Sequence, residues 1–376
     1  MEWNSGIKML GFKKIYTLPF KFDIPNYTKE YIEKKSLLGR WLKLIKRYLY
    51  INLKRQKSLE IENILPEHND ILWINISAPS LGDSLMDLSS RTMLIGRNVD
   101  LFTDKRNSEL YKDDFLFSKV FTEIKQINEC RYDLVILDSY STRCINIKAK
   151  IANLVPFVGM FGYYNGSEVH RLLFSFHQMN NLLGYVKTEN EINKIAKASI
   201  SISNSDQKLI QKTRLPSSFI AFAIGGEWNY RAYNKWDCVI EKLISIDNHI
   251  NIVLIGSDNA KDSATIIFDK FSKRNVINCV AKFTFKQTAE IINQAKMLFC
   301  CDGGLMHPAN ALKTPIIGLF ARHEPHMLLT ESICAFSLFD KRDVNNILVE
   351  EVQLFIPVIL FCLFIVWYFH DKIKAR

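Results

Sequence analysis

Between residues 30 and 57 apolar side chains recur at helical spacing. Leu38, Trp41, Leu42, Ile45, Tyr48 and Leu49 form one stripe, with Lys34, Lys35, Arg40, Lys43, Lys46, Arg47, Lys54 and Arg55 largely around it. The spacing predicts a basic amphipathic helix that either packs its stripe on the body of the protein or lies in a membrane interface. After it the period changes. Residues 71–76 (ILWINI) are an unbroken apolar run of strand length, ended by Ser80-Leu81-Gly82-Asp83 and a helix-like stretch through Met93. Further strand runs stand at 99–103 and 133–137 with helix-like segments between. Strand and helix in alternation predict a parallel α/β sheet.

Residues 187–218 are polar enough to hold a domain boundary and one helix. A second series then follows: strands at 219–224, 251–255, 296–300 and 315–320, with helices at 237–246 and 288–294. Two similar halves predict a ligand in the crevice between them, and no short-period repeat is found. Residues 354–369 (LFIPVILFCLFIVWYF) carry no charge and are followed by HDKIKAR. Sixteen apolar residues fall just short of the roughly 17–20 needed to cross hydrocarbon, so this run is either a membrane-associated segment or a buried C-terminal helix.

Composition narrows the class. The chain has 376 residues, 48% of them hydrophobic, which excludes disordered and low-complexity types. Its eight cysteines contain no C-x-x-C pair and read as buried thiols in a reducing compartment. The start of the chain has no signal-peptide apolar core, an argument against export. Net charge is +10, but residues 1–66 carry 14 basic against 6 acidic side chains, the last seven carry 3 against 1, and residues 67–369 balance at 32 each. A nucleic-acid groove places its charge on the folded domain. Basic ends beside a neutral body instead fit an anionic membrane surface, with no nucleic acid as partner.

The most specific chemistry lies in Cys301-Asp302-Gly303-Gly304-Leu305-Met306-His307-Pro308-Ala309-Asn310-Ala311, between a strand and a helix. Two glycines let a ligand approach the backbone, free N–H groups at a helix start favour phosphate, and Asp302 and His307 could reach the same ligand. The plain alternative is a Gly-rich turn capped by Asp302. No His or Cys spacing suits a metal, and no D-x-D stands at a strand end, so metal-independent chemistry without a cofactor is expected.

Asp302-x-Gly304-x-x-His307-x-Ala309-x-Ala311, followed by Thr314-Pro315, resembles the C-terminal signature of bacterial lipopolysaccharide heptosyltransferases, glycosyltransferase family 9. Ser80-Leu81-Gly82-Asp83 is similar to that family's G-D loop, Lys235-Trp236 to its K-W element, and Ile255-Gly256-Ser257-Asp258 to its acidic strand-end loop. The resemblance runs from about residue 71 to about residue 352. It implies a GT-B architecture, two Rossmann-like domains facing a central cleft, with a nucleotide-sugar held mainly by the second. It also implies an inverting transfer of heptose from ADP-heptose to the Kdo or heptose of a lipid A inner core, at the cytoplasmic face of an inner membrane. Other readings are a different nucleotide-sugar, or a membrane-tethered binding protein with a degenerate site.

On this resemblance Asp83 is the general base, though by its own sequence context it could equally cap a helix. Lys235 becomes the cation for the diphosphate, where a lone lysine beside tryptophan is otherwise a solvated surface residue. His307 with the Gly303 and Gly304 amides completes the anion site, and Asp302 and Asp258 accept from sugar and ribose hydroxyls. Three departures stand out: Gly303 where the family often has a hydroxyl residue, Lys313 where small residues are common, and Glu227 beside Gly225-Gly226. The expected organisation is a basic helical extension (1–66), an acceptor domain (67–200), a nucleotide-sugar domain (201–352) and an apolar helix with a basic tail (353–376).

Overall fold

A computed structural model describes residues 37–355 except 77, 79, 128–130, 164–169, 272–273 and 331–332. The expectations for residues 1–36 and for the apolar run beyond Phe355 lie outside the described residues. The chain divides into two units between Ser201 and Ile202.

In the first unit, β1 (Asp70–Asn75), β2 (Asn98–Thr103), β3 (Phe117–Phe121), β4 (Leu134–Leu137) and β5 (Phe157–Gly159) form one parallel sheet in the order β3-β2-β1-β4-β5. β1 is buried from Ile71 onward and β4 throughout, which is why both read as continuous apolar runs: helices cover both faces of a parallel sheet. The direction of strand order reverses between β1 and β4, where Leu72 pairs with Val135. Helix α1 (Leu37–Leu53) precedes the sheet and sends Leu44 and Ile51 into the same core cluster as Leu72, Val135 and Ile145. α2 (Leu81–Leu88) starts at Ser80, whose Oγ accepts from the Asp83 amide, and continues as a 3-10 turn to Leu94. α3 (Lys105–Tyr111), α4 (Thr142–Ile151), α5 (Arg171–Leu182) and α6 (Glu189–Ile195) complete the unit.

The second unit opens with α7 (Asn204–Lys212), so the polar stretch 187–218 holds two helices where one was expected. Each begins at a hydroxyl residue, Thr188 or Ser203, that accepts from an amide three residues on. β6 (Ile220–Ala223), β7 (Ile252–Ile255), β8 (Val276–Asn278), β9 (Met297–Cys301), β10 (Ile316–Ala321) and β11 (Ala335–Asp340) form a parallel sheet ordered β11-β10-β9-β6-β7-β8. The reversal falls between β6 and β9. The helices are α8 (Trp236–Ile246), α9 (Lys261–Lys270), α10 (Phe285–Gln294), α11 (Met306–Leu312) and α12 (Val349–Gln353). Trp236 is buried against Phe222, Tyr233 and Phe299, which anchors the start of α8 to the sheet. These are the two parallel-sheet α/β domains expected, each with Rossmann-like strand order.

Cys144, Cys279, Cys300 and Cys301 are buried as expected, and burial pushes the Cys301 thiol up to about 12. Cys238 and Cys334 are exposed, which corrects the reading of all cysteines as core. Cys238 lies on the solvent side of α8, and Cys334 in the irregular stretch before β11, where an apolar neighbourhood in sequence does not mean burial.

Candidate active site

In parallel sheets of this order, ligands bind beyond the carboxyl ends of the strands where the order reverses. In the first unit that place is the end of β1 and β4. There the buried Asn75 donates Nδ2–H to Asp138 Oδ1 at 3.0 Å. α2 then carries Asp83 in its first turn. The cap is Ser80, so Asp83 is not the N-cap that its sequence context allowed. Both carboxylate oxygens of Asp83 are held: Ser80 Oγ–H donates to Oδ2 at 2.6 Å, and Arg171 Nη1–H donates to Oδ1 at 2.9 Å. Arg171, the first residue of α5, also makes a two-point pair with the fully buried Asp87 through Nε and through Nη2, the latter at 2.6 Å.

The electrostatics follow from burial. Desolvation raises the Asp87 carboxyl above its usual range, against the opposing pull of Arg171. Burial would by itself lower Arg171, but Asp87 and then Asp83 outweigh it and hold the guanidinium above its ordinary value. Arg171 is therefore a permanent cation shared by two carboxylates, one buried and one a quarter exposed. A carboxylate fixed at both oxygens yet open to solvent is suited to take a proton from an incoming hydroxyl. Neither Arg171 nor Asp87 was singled out in the sequence. The i and i+4 spacing of Asp83 and Asp87 on one helix face was the available signal.

In the second unit the reversal is lined by glycine. Gly225, at φ +90°, ends β6 so closely against the next loop that an added Cβ would stand 2.8 Å from the Ala260 Cβ. At Gly226 a Cβ would stand 2.6 Å from the Arg231 carbonyl oxygen. Both are demanded by the protein's own packing. Gly303 and Gly304, after β9, are different: a Cβ would meet nothing nearer than 3.7 Å and 3.9 Å. The protein's own packing does not demand glycine at either, and the backbone there is left open to the approach of a ligand.

Asp302 is buried at the end of β9, its amide donating to the Leu319 carbonyl at 2.9 Å. Its Oδ2 lies 3.3 Å from Arg231 Nε, an ion pair without an aligned hydrogen bond. His307 is buried on the first turn of α11, whose N-cap Leu305 supplies no side-chain acceptor. Arg231 sits 5.3 Å from the Tyr230 ring, and the Arg322 guanidinium lies over that ring at 3.6 Å. The half-exposed Trp228 stacks near it. Arg322 adopts φ +68°, a left-handed conformation that costs a non-glycine residue on the order of 1 kcal/mol. Arg231, Tyr230, Trp228 and Arg322 were all missed in the sequence, although the aromatic-basic cluster Trp228-Asn229-Tyr230-Arg231 was its visible trace.

Two expected donor residues stand elsewhere. Lys235 Nζ–H donates to the Asn345 carbonyl at 2.7 Å and the Ile347 carbonyl at 3.3 Å, tying the start of α8 to the 344–347 turn. Asn234, Asn345 and Tyr233 reinforce the same tie. The cation brought to Asp302 is Arg231. Asp258 is 84% exposed and pairs with Lys261 one turn later; Asn259 is the residue that reaches the β6 loop, donating to the Gly226 carbonyl at 2.8 Å. Lys313 is the left-handed residue closing α11 and is exposed, so its size meets no obstacle there. Glu227 is exposed on its loop. Among the described residues, no three His, Cys, Asp or Glu side chains gather as a metal site.

Comparison with known proteins agrees with the fold. Residues 165–337 match the model of glycosyltransferase family 9 (heptosyltransferase), a range that holds Arg171 and every second-unit site residue but not Asp83. The fold is similar to a glycosyltransferase family 9 protein from Veillonella parvula, at TM-score 0.65 and 14% identity over 79% of this chain and 99% of that one. It is also similar to the E. coli ADP-heptose lipopolysaccharide heptosyltransferase II, at TM-score 0.60 and 16% identity over 78% and 98%. An E. coli heptosyltransferase, WaaC, solved with ADP, gives TM-score 0.56 and 16% identity over the same shares. No curated protein sequence matches the chain. The family match, together with two parallel-sheet domains of the heptosyltransferase fold and the signature turn at the reversal point of the second sheet, identifies residues 165–337 as a glycosyltransferase family 9 (heptosyltransferase) domain.

Proposed function

We propose that this protein is an inverting glycosyltransferase that moves heptose from ADP-heptose to the Kdo or heptose of a lipid A inner core, at the cytoplasmic face of an inner membrane. The observation that carries this reading is the turn after β9: buried Asp302, open Gly303 and Gly304, and buried His307, with Arg231 against Asp302. The E. coli neighbour solved with ADP supports an adenine nucleotide as the leaving group. Donor recognition then divides naturally. The guanidinium of Arg231 and the amides of the glycine turn meet the diphosphate, His307 donates to a phosphate or sugar oxygen, and Asp302 accepts from the sugar. Trp228 and Tyr230 offer flat faces to the base. Lys235 supports this site through the loop it ties, and Asp258 is left at its rim.

In the transfer step an acceptor hydroxyl oxygen attacks the anomeric carbon from the face opposite the diphosphate. The new C–O bond forms as the bond to the diphosphate oxygen breaks, and the hydroxyl proton passes to Asp83. Ser80 and Arg171 hold that carboxylate in one plane while it waits, so little reorganisation accompanies the proton transfer. Negative charge growing on the departing diphosphate is met by Arg231 and the turn amides.

Incubation with ADP-heptose and a Kdo–lipid A acceptor tests the reading, with the product followed by mass. One heptose added, with inversion and with release of ADP, is the expected result. Donor binding without turnover on any core acceptor would leave a binding protein instead. A second donor class is favoured by one observation, the absence of a hydroxyl at Gly303; stabilisation by GDP- or UDP-sugars but not by ADP-sugars in a thermal-shift panel would select it.

A further inference from the structure

We infer that the outward face of α1 is a docking surface for an anionic lipid bilayer. α1 is apolar on two opposite sides. Leu44 and Ile51 point into the core of the first unit and are buried. At about 100° per residue, Leu42, Leu49 and Leu53 lie roughly half a turn of the helix away from them. These three are 55%, 61% and 76% exposed. Ile45, Lys46 and Tyr50 stand beside them on the same open side of the helix. The stripe read from the sequence is thus split: its Leu42 and Leu49 face outward, and a different pair holds the helix to the body.

Charge selects the occupant. No acidic residue occurs from Leu37 to Arg55, and six basic ones do. Lys46 sits within the leucine stripe and Lys43 beside it, both exposed. A lysine among exposed leucines suits a bilayer surface, where the side-chain stem runs along the acyl boundary and the ammonium reaches phosphate. A second copy of this chain would set Lys43 and Lys46 against their own counterparts. Nucleic acid offers bases to aromatic rings, and leucines do not stack. The remainder of the chain fits the same partner: residues 67–369 sum to zero charge, and the uncharged run 354–369 is followed by three basic residues. The solved neighbours are covered almost end to end by under four-fifths of this chain, so a fifth of it is additional to the shared fold.

This deepens the membrane location proposed above but does not depend on the transfer reaction. The test is co-sedimentation of the full chain with vesicles of phosphatidylcholine, alone or with phosphatidylglycerol. Wild type is expected to sediment with the anionic vesicles, less so as salt rises. The combined variant Leu42→Ser, Leu49→Ser, Leu53→Ser is expected to bind them at least about tenfold more weakly, with an unchanged melting temperature because the three side chains support no core. The pair Lys43→Glu, Lys46→Glu is expected to lose the preference for anionic over neutral vesicles. If the leucine variant binds as wild type does, attachment lies in another segment and the inference fails alone. Wild type that binds neither vesicle overturns both this inference and the membrane location, and leaves glycosyl transfer standing. A wild-type dimer made monomeric by the leucine substitutions, without vesicle binding, would make the occupant a second copy and overturn the inference.

Discussion

The two strand-order reversals of this protein are built alike and filled differently. In the first unit the space beyond β1 and β4 is occupied by the protein's own polar pairs: Asn75 on Asp138, and Arg171 on Asp83 and Asp87. In the second the corresponding space beyond β6 and β9 is lined by glycines, with Arg231 loosely paired to Asp302 and Arg322 laid over an aromatic ring. One reversal fixes a carboxylate; the other leaves backbone and cations facing outward. The same topology thus carries two differently filled reversals, and the difference comes from the side chains that α2, α5 and the loops after β6 and β9 bring to them.

The largest effect should come from replacing Asp83, the proposed base. Asp83→Asn keeps the contacts' shape but cannot accept the proton, and kcat is expected to fall about 10²–10⁴-fold while donor affinity holds. Equal losses in kcat and donor binding would show that Asp83 serves the donor instead, erasing the contrast between units.

Next comes Arg171→Met, which leaves Asp87 buried without its cation. Breaking a buried pair costs on the order of 3–5 kcal/mol, and the partial exposure of Arg171 puts the expected loss at the lower end, about 3 kcal/mol. The pH dependence sharpens this. The folded-state pKa of Asp87 is raised above its unfolded value, so between the two the folded protein binds more protons and stability falls as pH rises. Without Arg171 that pKa moves further up. The variant's deficit relative to wild type, read by chemical denaturation, should therefore shrink toward acid pH and be largest near neutrality. A deficit independent of pH would mean that Arg171 acts by packing alone.

The smallest effect belongs to Lys235→Ala. As a tie between two loops it should cost about 1 kcal/mol, a shift of roughly 2–4 °C in Tm, with KM for the donor changed less than about threefold. A large rise in KM with unchanged Tm would return Lys235 to the diphosphate.

Much of this was legible in the chain. The parallel strands at the two reversal points are buried on both faces and so announce themselves as unbroken apolar runs, and the Asp302 to Ala311 turn carries its own chemistry in order. What was hidden depended on contacts across long sequence separations. Arg171 lies 88 residues from Asp83, and nothing in the local pattern of α5 distinguishes it from a solvated helix residue. Lys235 failed in the opposite way: its neighbour Trp236 is a core residue, so the pair looked like a motif while the ammonium was bound to a turn 110 residues on. The edge strands β3, β8 and β11 escaped because they are partly exposed and lack the apolar run, and the edge strand β5 because its three residues are too short to show one.

The most direct test is the dissociation constant for ADP of wild type, Asp83→Asn and Arg231→Ala, measured side by side by titration calorimetry. A division of labour between the units predicts that Asp83→Asn binds ADP as wild type does and that Arg231→Ala binds at least about tenfold more weakly, through loss of a charge-assisted contact to the diphosphate. Unchanged affinity in Arg231→Ala, or a loss confined to Asp83→Asn, would contradict it.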